Sequence, residues 1–256
     1  MSVVELHLVE AGVASAVPAN VASTASLLEL DSELGRDLDP GGRTAARRAL
    51  IVRTIALQRG TWCDDLQSER LTALLIAEGA VIRRVFAGRA RSAEVLAPGD
   101  LVRPWQEDPA SFVESEYLAL KPTVVAVLDR HARDALGRWP ALIEALIERG
   151  IRRARSLGTQ AALDNCVRIE RRVLLCLWHL AERCGTKTEA GIVVPIPLTH
   201  QHLADMVRAQ RPSVTTALSR LGESGTVTRT HDGGWILEPG SADTLPGFES
   251  QERSVG

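Results

Sequence analysis

The segment 207–221, VRAQRPSVTTALSRL, contains the side chains whose types and spacing best suit recognition chemistry. Arg211 supplies a planar guanidinium, which can donate two hydrogen bonds to O6 and N7 of guanine. Thr215 and Thr216 follow one helical turn later, and their methyl groups suit contact with the thymine methyl. The segment therefore predicts a helix whose first turns read base edges of duplex DNA.

Pro212 would disrupt the middle of a helix, because it has no backbone N–H to donate. With Gln210 as N-cap, Arg211 and Pro212 occupy the first two helical positions, where N–H groups have no intrahelical acceptor anyway. The remaining free N–H groups and the positive end of the helix dipole then face outward, which suits a phosphate. Proline at this place therefore marks the start of a helix.

The neighbouring residues predict the elements that position this helix. Thr199 can cap a first short helix, in which Leu203 lies on the buried side. A short turn at 208–210 separates the two helices, which is the pattern of a helix-turn-helix. The glycines of HDGG at 231–234 suit a hairpin, so we predict a wing, in which Arg229 could contact a phosphate. A purely structural helix pair is the alternative.

Composition is typical of soluble globular proteins, with 45% apolar and 24% charged residues among 256. The formal net charge of −2 gives no global attraction to a polyanion, so DNA binding would depend on a local patch. No apolar run reaches the roughly 18 residues that a membrane span needs. The first residues lack the Lys or Arg with which a secretory signal begins. We expect a cytoplasmic protein with no membrane partner.

The four cysteines, Cys63, Cys166, Cys176 and Cys184, are scattered and form no CxxC pair. This spacing argues against a disulfide scaffold and a zinc site, so we predict reduced thiols, no metal and no cofactor. Jelly rolls also include metal-dependent enzymes of the cupin type, which need several His and carboxylate ligands inside the roll. The β region contains no histidine before His131. A cupin-like enzyme is therefore the weaker alternative, and we expect no enzymatic activity.

Short aliphatic runs broken by Gly, Pro and Asp dominate residues 50–129, which is typical of antiparallel strands. The spacing over 27–38 predicts a short helix before them. We therefore predict an α+β fold whose N-terminal domain, 27–138, is a β-roll or jelly roll. The tails at 1–26 and 240–256 lack apolar periodicity, and we expect them to be disordered.

The pattern becomes helical over 139–163. Small and apolar residues recur there at alternating spacings of four and three, at Ile143, Ile147, Gly150, Ala154, Leu157 and Ala161. This is the rhythm of a two-helix seam, in which Gly150, Ala154 and Ala161 would let two backbones approach closely. Gly150 and Gly158 weaken an isolated helix, so this helix is expected to rely on a packing partner. We predict a homodimer through this helix, with a helix that lies across its own β domain as the alternative. Asp164 or Asn165 is then a natural N-cap for a helix that begins the C-terminal domain, 164–239.

The phrase LTHQHLADMVRAQRPSVTTALSRLGESGTV resembles the winged helix-turn-helix of Crp/Fnr transcription regulators. The order of the chain is also similar to that family: a roll-like domain, a long dimerisation helix and a hinge at Leu163-Asp164. The resemblance implies a sequence-specific DNA-binding regulator that reads a pseudo-palindromic site as a homodimer. An activator of this kind would also contact RNA polymerase.

In the family's pattern, Thr199, Gln201 and Ser213 fall at phosphate-contacting positions, whereas Arg211 and Thr215 face bases. The candidate DNA-binding residues are then Thr199, Gln201, Gln210, Arg211, Ser213, Thr215, Thr216 and Arg220. Pro212 stands where many relatives carry Glu, so the operator of the best-studied members does not carry over. An interaction module that has lost DNA binding is a further alternative.

The phrases AEGAVIRRV and LAPGDL resemble the hairpin and the turn of the family's cyclic-nucleotide-binding roll. Nucleotide-binding members follow that turn with a Gly-Glu pair and later an arginine beside a small residue, whereas this chain continues VRPWQEDPASF. A buried phosphate would lack its charge-assisted clamp, so we expect a degenerate sensor domain. Iron–sulfur members use an N-terminal cysteine cluster, which Cys63 alone does not supply. Any effector of this domain is therefore unidentified.

Overall fold

A computed structural model describes residues 20–63, 71–104 and 112–242. The strands are β1 (Asn20–Ser26), β2 (Ile51–Leu57), β3 (Leu71–Glu78), β4 (Val81–Ala87), β5 (Ala90–Leu96), β6 (Leu101–Val102), β7 (Val113–Ala119), β8 (Thr123–Asp129), β9 (Thr186–Thr188), β10 (Gly191–Val194), β11 (Val227–Arg229) and β12 (Trp235–Leu237). The helices are α1 (Leu27–Leu30), α2 (Pro40–Ala49), α3 (Arg130–Leu136), α4 (Pro140–Leu163), α5 (Ile169–Cys184), α6 (His200–Met206) and α7 (Arg211–Glu223). None of these described helices combines the length and apolar character that crossing a bilayer requires.

The N-terminal strands form a β-roll from two antiparallel sheets, as the sequence predicts. One sheet has the order β1-β2-β8-β3-β6 and the other β5-β4-β7. Leu74 and Ile76 of β3 and Val125 of β8 are fully buried between them. Gly79 turns the chain from β3 into β4 at a φ of +92°, where an added Cβ would lie 2.3 Å from the Thr123 hydroxyl oxygen. Only glycine satisfies both the angle and the space.

The first strand differs from the sequence interpretation, which places residues 1–26 in a disordered tail. Residues 20–26 instead pair with β2 as an antiparallel edge strand. The hydroxyls of Ser23 and Thr54 are hydrogen-bonded across this pair at 2.6 Å. The stretch is rich in Ala and Ser and has no alternating pattern of its own, so its extended form depends on the neighbouring strand. Residues 1–19 lie outside the described part.

Two helices of the roll have no counterpart in the sequence prediction. α2 begins at Pro40, and the Asp39 carboxylate accepts hydrogen bonds from the N–H groups of Gly41 and Gly42, both at 3.1 Å. The phrase DPGG suggests a turn, yet Asp at the N-cap and Pro at the first position are also a helix start. α3 begins in the same way, because Asp129 accepts from the Ala132 N–H at 2.9 Å.

The long helix α4 packs on its own roll along one face. Leu142 is fully buried there. Arg149 forms a bidentate ion pair with Asp31, and Arg153 donates to Glu94 at 2.6 Å. The alternative of a helix that lies across its own domain is therefore correct for this face. Another face leaves large apolar side chains exposed in the single chain, at Ile143, Ile147, Ile151 and Leu157.

The start of the C-terminal domain corrects another prediction. α5 begins at Ile169 after the N-cap Arg168, which makes no side-chain capping bond. Neither Asp164 nor Asn165 caps it. The Asp164 carboxylate instead forms an ion pair with Arg208, whose Nε lies 3.0 Å away and which follows 44 positions later in the chain. The carboxylate is therefore used in an ion pair with a distant residue and not as a cap for the N–H groups of the next helix.

In the C-terminal domain α5 and α7 pack on a sheet with the order β11-β12-β10-β9, while α6 packs on α7 and on β5 of the roll. The predicted wing is the β11–β12 hairpin, and Gly233 in its turn has a φ of +83°. The buried side chains of this domain form one cluster with Ile82 and Val95 of the roll. Roll and C-terminal domain therefore share a continuous apolar core. At its far end Ser241, expected in the disordered segment 240–256, is buried and hydrogen-bonded to Trp178.

Helix α6 begins with a reciprocal cap. The Thr199 hydroxyl accepts from the His202 N–H at 3.1 Å, and His202 Nδ1 accepts from the Thr199 N–H at 3.3 Å. The predicted cap at Thr199 is thus confirmed. Burial, together with the Arg84 guanidinium, lowers the pKa of His202 to about 4. The ring therefore stays neutral and keeps its acceptor through neutral and mildly acidic solution.

We expect His202→Gln to reduce the loss of stability in acid. Between the usual histidine pKa of 6.5 and about 4, the unfolded chain binds a proton that the folded chain resists. The free energy of unfolding should therefore fall over this window, by at most about 3 kcal/mol from this residue. Glutamine does not titrate and retains the capping box. Urea unfolding at about pH 7.5 and about pH 4.5 measures the difference. Parallel losses in both proteins would contradict the assignment.

Candidate nucleic-acid interface

Helix α7 starts where the sequence predicts. Gln210 is its N-cap, Arg211 is its first residue, and Pro212 lies in the first turn. The buried face consists of Val214, Ala217, Leu218 and Leu221. These apolar residues fix which side of the helix packs on the domain, and thereby which side is free.

The free side of α7 contains most of the candidate DNA-binding residues. Ser213 is half-buried, and the exposed members are Gln210, Arg211, Thr215, Thr216 and Arg220. The guanidinium of Arg220 lies 3.8 Å from the Glu170 carboxylate, and both side chains are largely solvated, so this ion pair holds the arginine only weakly. The arginine-led first turn of α7 is thus accessible to a partner.

The hydroxyl groups on α7 are turned back onto the helix. Thr215 Oγ1 donates to the Arg211 carbonyl at 3.0 Å, and Thr216 Oγ1 donates to the Pro212 carbonyl at 3.2 Å. Ser219 makes the same bond to the Thr215 carbonyl at 3.1 Å. Because each threonine hydroxyl donates its proton within the helix, its methyl group and the acceptor side of its oxygen are the parts left for an outside surface. This arrangement suits apolar contact with thymine methyls.

The candidate residues on the α6 side are partly engaged within the domain. Gln201 is half-buried, and its amide donates to the Asp205 carboxylate at 2.7 Å. The amide carries a second hydrogen, which a phosphate oxygen can accept. The Thr199 hydroxyl accepts from His202, which leaves its own O–H proton free to donate. Both side chains therefore retain one donor for a phosphate.

His200 belongs to the same surface, although the sequence interpretation does not assign it a role. Its Nδ1 lies 3.0 Å from the hydroxyl oxygen of Thr215, which joins α6 to α7. Its ring is 6.3 Å from that of Trp235 in the wing, and the Arg229 guanidinium lies 5.2 Å above the Trp235 ring. Burial lowers the pKa of His200, and Arg229 and Arg211 lower it further. No local pattern in the sequence signals this contact, because it depends on how α6 and α7 are placed against each other.

Two exposed arginines, Arg211 and Arg229, lie on this surface despite the acidic balance of the chain. Asp205 is nearly fully buried, and the guanidiniums of Arg84 and Arg91 each approach it at 3.6 Å. Its negative charge is therefore compensated within the protein, whereas Arg211 and Arg229 are exposed. Among the described residues, no group of three or more His, Cys, Asp and Glu side chains is arranged to hold a metal ion.

A cavity of about 550 Å³ opens where the roll, α4 and α5 meet. Charged pairs from these three parts line it, including Arg149 with Asp31, and Arg183 with Asp100 at 2.6 Å. Its volume is within the range of small-molecule sites. The cavity shares no lining residue with the surface formed by α6, α7 and the wing, so the two sites are separate.

The surface formed by α6, α7 and the wing lies in a segment that matches a known domain family. Residues 171–239 match the sequence family of the Crp-like helix-turn-helix domain. The chain matches no curated protein sequence. Most of helix α5, both short helices and the wing lie within the matched segment.

Solved structures share the fold over most of the chain. A cyclic nucleotide-binding domain containing protein from Listeria monocytogenes EGD-e is 16% identical, with a TM-score of 0.62 over 85% of this chain and 99% of that chain. FixK2 from Bradyrhizobium japonicum is 18% identical, with a TM-score of 0.56 over 74% and 93%. A CRP-family transcriptional regulator from Thermus thermophilus is 19% identical, with a TM-score of 0.53 over 71% and 90%. The resemblance to Crp/Fnr regulators is thus confirmed in the overall fold, and residues 171–239 form a Crp-like helix-turn-helix domain.

Proposed function

We propose that the protein is a sequence-specific DNA-binding transcription regulator that acts as a homodimer in the cytoplasm. The observation that carries this proposal is the exposed, arginine-led first turn of α7 within a Crp-like helix-turn-helix domain. The related folds of transcription regulators support the same conclusion and favour it over an enzyme.

Each candidate residue has a role in this proposal that follows from its donor groups. Arg211 reads a guanine through two parallel hydrogen bonds, while the methyls of Thr215 and Thr216 contact thymine. Phosphates are bound by the remaining members, which position the helix without reading sequence: Thr199, Gln201, Gln210, Ser213 and Arg220. The division between base-reading and phosphate-binding residues makes the proposal testable.

The exposed apolar face of α4 supports a second copy of the chain as its partner. An added Cβ at Gly150 or Gly158 would meet nothing within 4 Å in this chain. Packing within the chain therefore does not explain two residues that weaken a helix. Close approach of a second α4 does explain them. Two symmetry-related α7 helices would then read half-sites about one helical turn apart.

The roll is the proposed sensor domain, and the cavity between the roll, α4 and α5 is a suitable place for an effector. A small molecule there would contact all three parts, and its affinity would differ between their relative arrangements. RNA polymerase is a further partner if DNA binding leads to activation.

Arg211→Ala should weaken binding to the preferred site more than binding to random DNA. Loss of a bidentate contact removes discrimination worth about 1–3 kcal/mol at one base pair. Duplexes selected from genomic fragments, together with single-base variants, provide the affinities at a fixed salt concentration. Gln201→Ala and Ser213→Ala are the matched controls and should weaken all duplexes alike. An equal loss on random DNA for Arg211→Ala would refute its base-reading role.

Gly150→Ala and Gly158→Ala should weaken the dimer although they strengthen the isolated helix. Alanine favours the helix by roughly 1 kcal/mol at each position, but its methyl group would separate the two backbones. Sedimentation equilibrium gives the dimer dissociation constant, and thermal unfolding at low concentration reports the helix. Thr159→Ala, an exposed position outside the seam, is the control. A dimer as tight or tighter in the glycine variants would exclude α4 as the interface.

A further inference from the structure

The end of α6 and the turn after it are held by side chains from several parts of the chain. We call residues 205–208 the junction. Arg84 and Arg91 of the roll approach the Asp205 carboxylate, both at 3.6 Å. Gln160 of α4 donates to the Met206 carbonyl, and Arg172 of α5 donates to the Val207 carbonyl. The Arg208 side chain forms an ion pair with Asp164 of the hinge.

Gln160 makes the most informative of these contacts. Its Nε2 donates to the Met206 carbonyl at 3.1 Å and to the Ala93 carbonyl of β5 at 2.9 Å. A single amide group thus joins the long helix, the roll and the helix-turn-helix. The last carbonyls of a helix have no intrahelical donor, so the Met206 carbonyl requires a partner from elsewhere. An apolar side chain at position 160 would leave both carbonyls without this donor.

Arg172 and Asp164, which follow the same C-terminal end of α4 in the chain, also hold the junction. Arg172 Nη1 donates to the Val207 carbonyl at 2.8 Å, while Nε and Nη2 of the same guanidinium donate to the Cys166 carbonyl. Arg208 has a φ of 50°, the one positive value at a non-glycine residue in the described ranges. This conformation is unfavourable for arginine, so it persists only because its surroundings hold it. The surroundings include the Asp164 carboxylate, 3.0 Å from Nε of Arg208, and the backbone bond from the Ala209 N–H to the Ala204 carbonyl at 2.9 Å.

The junction lies two residues before α7, so whatever fixes it also fixes the recognition helix. In the proposed dimer, α4 is in turn fixed against its partner. A rigid connection from α4 through the junction to α7 would therefore set the distance between the two recognition helices. A loose connection would let each α7 reach half-sites at several separations.

We infer that Gln160 is a positioning residue that makes the dimer selective for one spacing between half-sites. The inference rests on the proposed function, because it requires two copies bound to one duplex. Gln160 contacts no DNA in this scheme and acts through the Met206 carbonyl. Base recognition by Arg211 and spacing selectivity are then separate properties, carried by different residues.

The test compares duplexes that carry two preferred half-sites at centre-to-centre separations from about 8 to about 13 base pairs. The full-length wild type is compared with Gln160→Met, which retains the side-chain length and has no donor. Arg172→Met is a second variant at the same junction. Thr159→Ala is the matched control on α4. Gln160→Met should lower the affinity ratio between the best and the other spacings by about tenfold, since two hydrogen bonds are lost.

Base preference at each half-site, measured in the same duplexes, should be unchanged in both junction variants, which shows that the helix-turn-helix remains folded. If Gln160→Met and Arg172→Met keep the wild-type spacing profile, the inference is overturned while the proposed function stands. Wild-type binding with equal affinity at every spacing would overturn it as well. A wild type that binds no duplex would refute the proposed function and the inference together.

Discussion

The proposed DNA interface depends on one constraint, the backbone N–H groups of the first turn of α7, which no helix can satisfy internally. Pro212 removes one of these donors and fixes φ, and Arg211 adds an exposed cation beside those that remain. The apolar face from Val214 to Leu221 turns this polar end outward. A phosphate or a base edge can supply the acceptors that the chain itself leaves out.

The local parts of this arrangement could be predicted from the sequence. Thr199 caps α6, and Pro212 marks the first turn of α7, because capping and proline chemistry act within a few residues. The strand-rich roll and the glycine-based wing also followed from short-range patterns. The sequence predictions that proved wrong concern residues whose conformation depends on partners far away in the chain. β1 is extended because β2 lies beside it, and Asp164 forms an ion pair with Arg208 instead of capping the next helix.

The same distinction applies to the candidate site. Exposure of Arg211, Thr215 and Thr216 follows from helical periodicity, which the sequence contains. The contact of His200 with Thr215, and that of Gln201 with Asp205, requires the relative placement of α6, α7 and the roll. Asp205 is tolerable in a buried position only because two arginines of the roll reach it. Because these arginines lie more than one hundred positions before Asp205 in the chain, the residues around Asp205 do not reveal the pairing.

The continuous core between the roll and the C-terminal domain limits how freely the helix-turn-helix domain can be transplanted. Ile82 and Val95 belong to the same cluster as Leu177 and Leu203, so a cut at the hinge would leave apolar surface bare on both pieces. A chimera with a foreign sensor would need to bring an equivalent hairpin to cover it. The sensor domain can therefore be exchanged at residue 164 only for one that presents a similar apolar surface to the helix-turn-helix domain.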